Sequence, residues 1–293
     1  MRFRVQKGMR RFEGVGMYFK VYTPIDVPVS RRVACVCSPI SDAGSFDSLC
    51  RELAKNGCLC VTVELPGFGH TPVKAPQDNT TRAKLVWGVL DEIEISRGED
   101  ETRWHLFGHG SGAGVVLLMT TMFPESVISR VLISPVTHIF GYKKLTYRLS
   151  GLTRWFYLRK YEYFESHPRR ALDKIRELYG PKLKRERGEE LRRNFFRRGR
   201  GHILLDMLEN GYYLPDEVYE TDRPVMTLMG DEDPMGQEIF DRLFSALSGV
   251  KVREIHPIKT RHMCMETDWS VVRDWVKGWL DYTEGKVKQP SRP

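Results

Sequence analysis

Short apolar runs rich in valine, separated by stretches with helical periodicity, constrain this chain more than any other feature of it. "RRVACVCSPI", "CLCVTVELPGFGHTP", "RWHLFG", "VISRVLISPV", "RPVMTLMGDEDP" and "VKVREIHPI" each contain such a run. Apolar runs this short and this rich in β-branched residues read as strands buried on both faces. The stretches between them read as helices. "SFDSLCRELAKNG" is a helix stopped by Gly57. "DNTTRAKLVWGVLDEIE" is a helix capped near Asn79 or Thr80, with Leu85, Val86, Val89, Leu90 and Ile93 on one face. "SGAGVVLLMTTMF" is apolar nearly all round and so should be buried. "TDWSVVRDWVKGWLDY" is a closing amphipathic helix. Strands alternating with helices predict an α/β fold, a mostly parallel sheet with helices on both faces.

At 293 residues and 41% hydrophobic composition, the chain can bury one sizeable core and carry an insertion. It has no run of about 18 apolar residues, so no transmembrane segment is expected. No secretory signal is visible, and an intracellular location, mitochondrial or cytoplasmic, is expected. The first twelve residues carry Arg2, Arg4, Lys7, Arg10 and Arg11 and no acid. They read either as the start of a mitochondrial presequence or as a basic edge strand, since "MYFKVYTP" follows. Cys35 and Cys37 alternate along one strand, and Cys58 and Cys60 along another. They read as buried free thiols in a reducing compartment rather than as a disulfide framework.

The alternation breaks between residues 137 and 218, which read as a helical insertion. Here 19 Lys and Arg face 11 Asp and Glu, an excess equal to the +8 net charge of the whole chain. "FGYKKLTYRLSGLTRWFYLRKYEYF" holds nine aromatics in 25 residues, interleaved with basic side chains that include Lys143 and Lys144. "KLKRERGEELRRNFFRRGRGH" adds Arg192, Arg193, Arg197 and Arg198. Arginine and lysine neutralise phosphates, and aromatics stack on unpaired bases. The segment therefore reads as a surface for an anionic partner, RNA or a ribonucleoprotein assembly first, an anionic membrane or a protein second. The plain alternative is an insertion whose aromatics pack on the core and whose charges are solvated.

Residues 105–118, "HLFGHGSGAGVVLL", form a strand, a glycine-rich turn and a helix. Together with "VELPGFGHTP", "MGDEDP" and "TRHMCMETDWSVVRDWVKGWL" in this order, the chain from about Arg32 to Tyr282 resembles the α/β-hydrolase superfamily, lipase- and esterase-like members with a helical cap after the sixth strand. The resemblance implies an eight-stranded sheet. It also implies a first part of the core over residues 1–136, a cap over 137–218 and a second part of the core over 219–283; by composition the remaining "EGKVKQPSRP", residues 284–293, reads as a flexible tail.

In that family a G-x-S-x-G turn presents a nucleophilic serine at the top of the sheet. The matching frame here is Gly108-His109-Gly110-Ser111-Gly112, so Gly110 stands at the nucleophile position. Ser111 falls at the first residue of the helix, where the family takes a backbone N–H for the oxyanion hole. Ile40, in the loop "CSPIS", is the second donor by position. His262 matches the family histidine, and Asp233 the acid, with Asp231 and Glu232 as rivals.

The resemblance with this departure predicts a degenerate catalytic triad and a pseudo-hydrolase. The protein would be a binding or scaffold protein whose basic cap contacts RNA, a ribonucleoprotein or a protein partner, with room for a small apolar ligand under the cap. The alternative is a serine-type or water-using ester or amide hydrolase acting through His262 and Asp233, with Ser111 as an unusual nucleophile. A third outcome is a non-hydrolytic proton transfer by the same pair. No cofactor is expected. No metal is expected either, because no histidine pair has ligand spacing, and "PGFGHTP" lacks the Lys-Ser or Lys-Thr of a phosphate loop.

Overall fold

A computed structural model of the chain describes residues 1–72, 78–98, 102–136, 151–210, 214, 218, 220–234 and 237–286. Eight strands form one sheet: β1 (Phe3–Phe12), β2 (Val15–Pro24), β3 (Arg31–Val36), β4 (Cys58–Val63), β5 (Trp104–His109), β6 (Val127–Ile133), β7 (Val225–Gly230) and β8 (Arg253–Ile258). Their spatial order is β1-β2-β4-β3-β5-β6-β7-β8. β1 pairs with β2, and β2 with β4, antiparallel; every other pair is parallel. The basic N-terminal stretch is thus the edge strand of the sheet, ten residues long.

The helices are α1 (Asp47–Lys55), α2 (Asn79–Ile95), α3 (Gly112–Met122), α4 (Gly151–Ser166), α5 (Pro168–Tyr179), α6 (Arg185–Phe195), α7 (Arg200–Asn210), α8 (Gln237–Ala246), α9 (Cys264–Thr267) and α10 (Trp269–Thr283). The cap of α2 lies one residue earlier than its sequence predicts. Asp78 accepts the N–H of Thr81 at 2.8 Å, and its extended backbone (ψ 167°) suits the N-cap.

β4 and β5 are buried along their whole length, as non-alternating valine-rich runs require. One face of the sheet packs α2, α3 and α8 through residues such as Val86, Leu90, Val116 and Leu243. The other packs α1 and α10 through Leu49, Leu53, Val276 and Trp279. Tyr161, Ile175 and Leu191 of the insertion join this second core. Filling such positions stabilises the fold by about 1.5–3 kcal/mol per large side chain.

α4 to α7 occupy residues 151–210, between β6 and β7. Residues 137–150, with Lys143 and Lys144, lie outside the described residues, as do 287–293 of the expected tail. Glu284, placed in that tail by composition, is tied to the body: it accepts from Arg31 Nε at 2.9 Å and pairs with His105 Nε2 at 3.3 Å. All six cysteines are free and buried. Among the described residues no group of three His, Cys, Asp or Glu could hold a metal ion, and no helix is long and apolar enough to cross a membrane.

Candidate active site

The carboxyl ends of β3, β5, β7 and β8 converge on one point. β5 ends at His109, and the chain turns into α3 through Gly110, whose φ is +54°. Three backbone bonds pin that turn: Gly110 N–H donates to Ile133 O at 3.0 Å, and Gly110 O accepts from Val136 and Ala113. The flanking glycines are required by close approach. A Cβ on Gly108 would stand 2.5 Å from Ala113 Cα, and one on Gly112 would stand 2.5 Å from Val36 O.

A Cβ built on Gly110 would lie 3.5 Å from His262 Nε2, 3.4 Å from Ser38 Oγ and 2.9 Å from Ser38 Cβ. The apex therefore faces the imidazole, and the loop after β3 leans into the volume that a side chain there would take. Ser111 follows in the right-handed helical region (φ −71°, ψ −18°) as the N-cap of α3. It is buried, and its Oγ has no hydrogen-bond partner among the described residues, His262 included.

On the acid–base side Asp233 and His262 are joined directly. Asp233 Oδ2 accepts from His262 Nδ1 at 2.7 Å. A carboxylate is an acceptor here, so Nδ1 carries the proton and the lone pair sits on Nε2, the atom that faces Gly110. Of the two rivals, Asp231 accepts the N–H of Thr260 at 3.2 Å and is exposed, as is Glu232. The last backbone bonds of the turn, Asp231 N–H to Ile258 O and Glu232 N–H to Thr260 O, aim the third position inward.

His109 braces this pair from the strand side. Its Nε2 donates to His262 O at 3.1 Å, and the two rings lie 4.8 Å apart. Complete burial, and then the neighbouring His262, hold the His109 imidazole well below its ordinary pKa, so it is neutral. The two expected backbone donors, Ser111 and Ile40, flank the apex: Ser111 at the mouth of α3, and Ile40 in a turn closed by Ser41 N–H to Ser38 O at 3.1 Å. Neither N–H has an acceptor among the described residues.

One arginine that sequence reasoning missed holds the region together. Arg187 of α6 forks onto Asp42 of the loop after β3, at 2.7 and 2.9 Å, and donates to Glu266 of α9 at 2.7 Å. Asn194 donates to the same Asp42 at 3.1 Å. Burial alone would raise the Asp42 carboxyl; the bonds from Arg187 outweigh it and hold the group below its usual range. The donor loop, the insertion and the histidine loop are thereby joined through one guanidinium. Nothing local in sequence signals a pair 145 residues apart.

The other nominated cations are scattered. Arg192 pairs with Glu189 at 2.8 Å. Arg193 is exposed, as are Arg197 and Arg198, which border a cleft of about 270 Å³ with Gly67, Thr71, Pro72, Arg200 and Ile203. The aromatics of the insertion divide: Tyr161, Phe164, Phe195 and Phe196 pack together, whereas Trp155, Phe156 and Tyr163 are exposed.

A sequence model described as the alpha/beta hydrolase family matches residues 40–275. No curated protein matches the chain. Among solved structures, a membrane phospholipase A described as a bacterial virulence factor superposes with a TM-score of 0.72 at 18% identity, over 96% of this chain and 87% of that one. The carboxylesterase CesB (YbfK) from Bacillus subtilis gives 0.72 at 16% identity, over 94% and 92%. The thioesterase domain from the curacin biosynthetic pathway gives 0.65 at 14% identity, over 94% and 99%. Likenesses at these identities establish a shared fold.

Proposed function

The chain belongs to the alpha/beta hydrolase family, and we propose that within it this protein has lost the serine nucleophile and serves binding instead of acyl transfer. The observation that carries this reading is Gly110, at the apex of the elbow with φ +54° and 3.5 Å from His262 Nε2 at its Cβ position. No hydroxyl hangs there to form an acyl intermediate. Ser111 has helical backbone and an Oγ without a partner, so it lacks the base that activates a serine. The approach of Ser38 into the vacated volume fits a site that no longer opens for a tetrahedral centre. The partner would be anionic and held by the basic insertion, RNA in a ribonucleoprotein being one such class.

A fluorophosphonate probe tests the loss of the nucleophile. No labelling is expected; labelling that disappears in Ser111→Ala would overturn the reading. Polyanion affinity that is unchanged when Arg192, Arg193, Arg197 and Arg198 are replaced by glutamine would remove those side chains from partner binding.

The His262–Asp233 bond of 2.7 Å favours a second reading, ester or amide hydrolysis by water. Water bound beside Gly110 would pass a proton to Nε2 as its oxygen attacks the carbonyl. Asp233 would stabilise the imidazolium, and the N–H groups of Ser111 and Ile40 would hold the oxyanion. The proton would then go to the leaving group. A site of this kind retains about 10³–10⁴-fold acceleration over water. Slow turnover of activated esters that vanishes in His262→Gln would establish it.

A further inference from the structure

α4 buries the wrong face for a helix of a solitary globular protein. Of its sixteen residues only Tyr161 is buried, against Phe195 and Phe196. Successive residues turn by about 100°, so Leu152, Phe156, Arg159 and Tyr163 lie in one line opposite Tyr161, with Trp155 and Lys160 on its two flanks. Leu152 is 73% exposed, Phe156 65%, Trp155 52% and Tyr163 46%. Among the described residues, five of the eleven large exposed hydrophobic side chains lie on this one helix, Tyr157 being the fifth. Scattered single exposures need no explanation, but a contiguous stripe marks a contact surface.

We propose that this outward face of α4 docks on an anionic lipid bilayer, lying in the headgroup layer. The inference narrows the anionic-partner half of the proposed function to one partner. Three features select it. Trp and Tyr rings suit the boundary between headgroups and acyl chains, and Leu152 and Phe156 supply the apolar insertion. Lys160 and Arg159 supply attraction to anionic headgroups, Arg159 while paired at 3.2 Å with Glu162, the only acid beside them on that side of the helix. The surface is also a single convex helix, and the guanidinium of Arg159 already lies over the Trp155 ring, 5.6 Å from its centroid. Single-stranded nucleic acid calls instead for a groove and open ring faces. Since no described helix can span a membrane, the contact is peripheral.

Flotation of the whole protein with vesicles tests this. Phosphatidylcholine vesicles containing phosphatidylglycerol should bind it, and pure phosphatidylcholine should bind it about tenfold more weakly, given about a fivefold effect per cationic side chain and one of the two shared with Glu162. The double variant Leu152→Ser/Phe156→Ser should lose at least about tenfold, and Arg159→Gln/Lys160→Gln about tenfold on anionic vesicles alone. All four positions are solvent-exposed, so circular dichroism and Tm should not move.

Absence of vesicle binding, or binding by both double variants that is unchanged from that of the starting protein, overturns the proposal. If poly(U) RNA binds instead and Arg159→Gln/Lys160→Gln weakens it, the face belongs to RNA, and the broader anionic-partner reading survives. If neither vesicles nor RNA bind, both fall. If instead the protein is a dimer that Leu152→Ser/Phe156→Ser dissociates, the face belongs to a second copy. Labelling of Ser111 by a fluorophosphonate would sink the nucleophile reading and leave the vesicle result untouched.

Discussion

At the carboxyl end of the sheet, the histidine side and the nucleophile side differ in how their polar groups are satisfied. On the histidine side His262 is bonded to Asp233 through Nδ1 and to His109 through its backbone oxygen, with His109 Nδ1 left without a partner among the described residues. On the nucleophile side Ser111 Oγ is buried without a partner, and the apex residue has only hydrogen as a side chain. Packing rules explain how both persist. The turn keeps its shape because Gly108 and Gly112 are demanded by contact with backbone atoms, whether or not the middle residue does chemistry. A buried carboxylate–imidazole pair, once formed, is costly to break from one side only. Structural constraint therefore maintains the frame and the acid–base pair, while the left-handed backbone of Gly110 and the approach of Ser38 favour glycine between them.

The contrast can be broken from several directions. The largest effect should come from Gly112→Val: its side chain would meet Val36 O at 2.5 Å, and urea unfolding should show a loss of about 3 kcal/mol or more. Asp42→Ala should follow, at about 2 kcal/mol, because it removes the buried end of the Arg187 fork and leaves that guanidinium, 18% exposed, only Glu266 and Glu190 as charged partners. Gly110→Ser should cost about 1–3 kcal/mol through its left-handed backbone and the displacement of Ser38. If the frame is right it should also bring a hydroxyl toward His262 and allow fluorophosphonate labelling. A stable Gly110→Ser protein with no change in stability would contradict the crowding seen at Ser38.

His109 sharpens the comparison through pH. Its folded pKa is depressed from 6.5 by burial. Above 6.5 both folded and unfolded forms are neutral; below it the unfolded chain takes up a proton that the folded one refuses. Stability should thus be full above about pH 6.5 and fall by about 1.4 kcal/mol per pH unit below it for this one group. His109→Asn should flatten that slope in unfolding curves, leaving the smaller share from His105, also depressed by burial. The smallest effect belongs to Arg193→Gln, Arg197→Gln and Arg198→Gln, exposed positions whose stability cost should stay within about 0.5 kcal/mol.

The sheet was legible in the sequence because it rests on a local rule. Valine-rich runs such as Cys58–Val63 announce strands buried on two faces. The start of α2 was misjudged by one residue because Asp78, Asn79 and Thr80 are all competent caps, and only the bond to Thr81 N–H separates them. Two features were out of reach. The Asp42–Arg187–Glu266 bridge joins residues distant in sequence whose charges look like any solvated pair. The division of the insertion's aromatics into packed and exposed sets depends on how α4 is rotated against Phe195 and Phe196, which its mixed polar and aromatic composition does not dictate.

Arg187 also bears on how this protein can be taken apart. Deleting the stretch that contains α4 to α7 would remove Arg187 and Asn194, which hold Asp42, and would uncover the apolar core that Tyr161, Ile175 and Leu191 close. A trimmed version built to expose the floor of the site should therefore precipitate unless those apolar positions are made polar in the same step, so the helical roof and the ground beneath it must be inherited together.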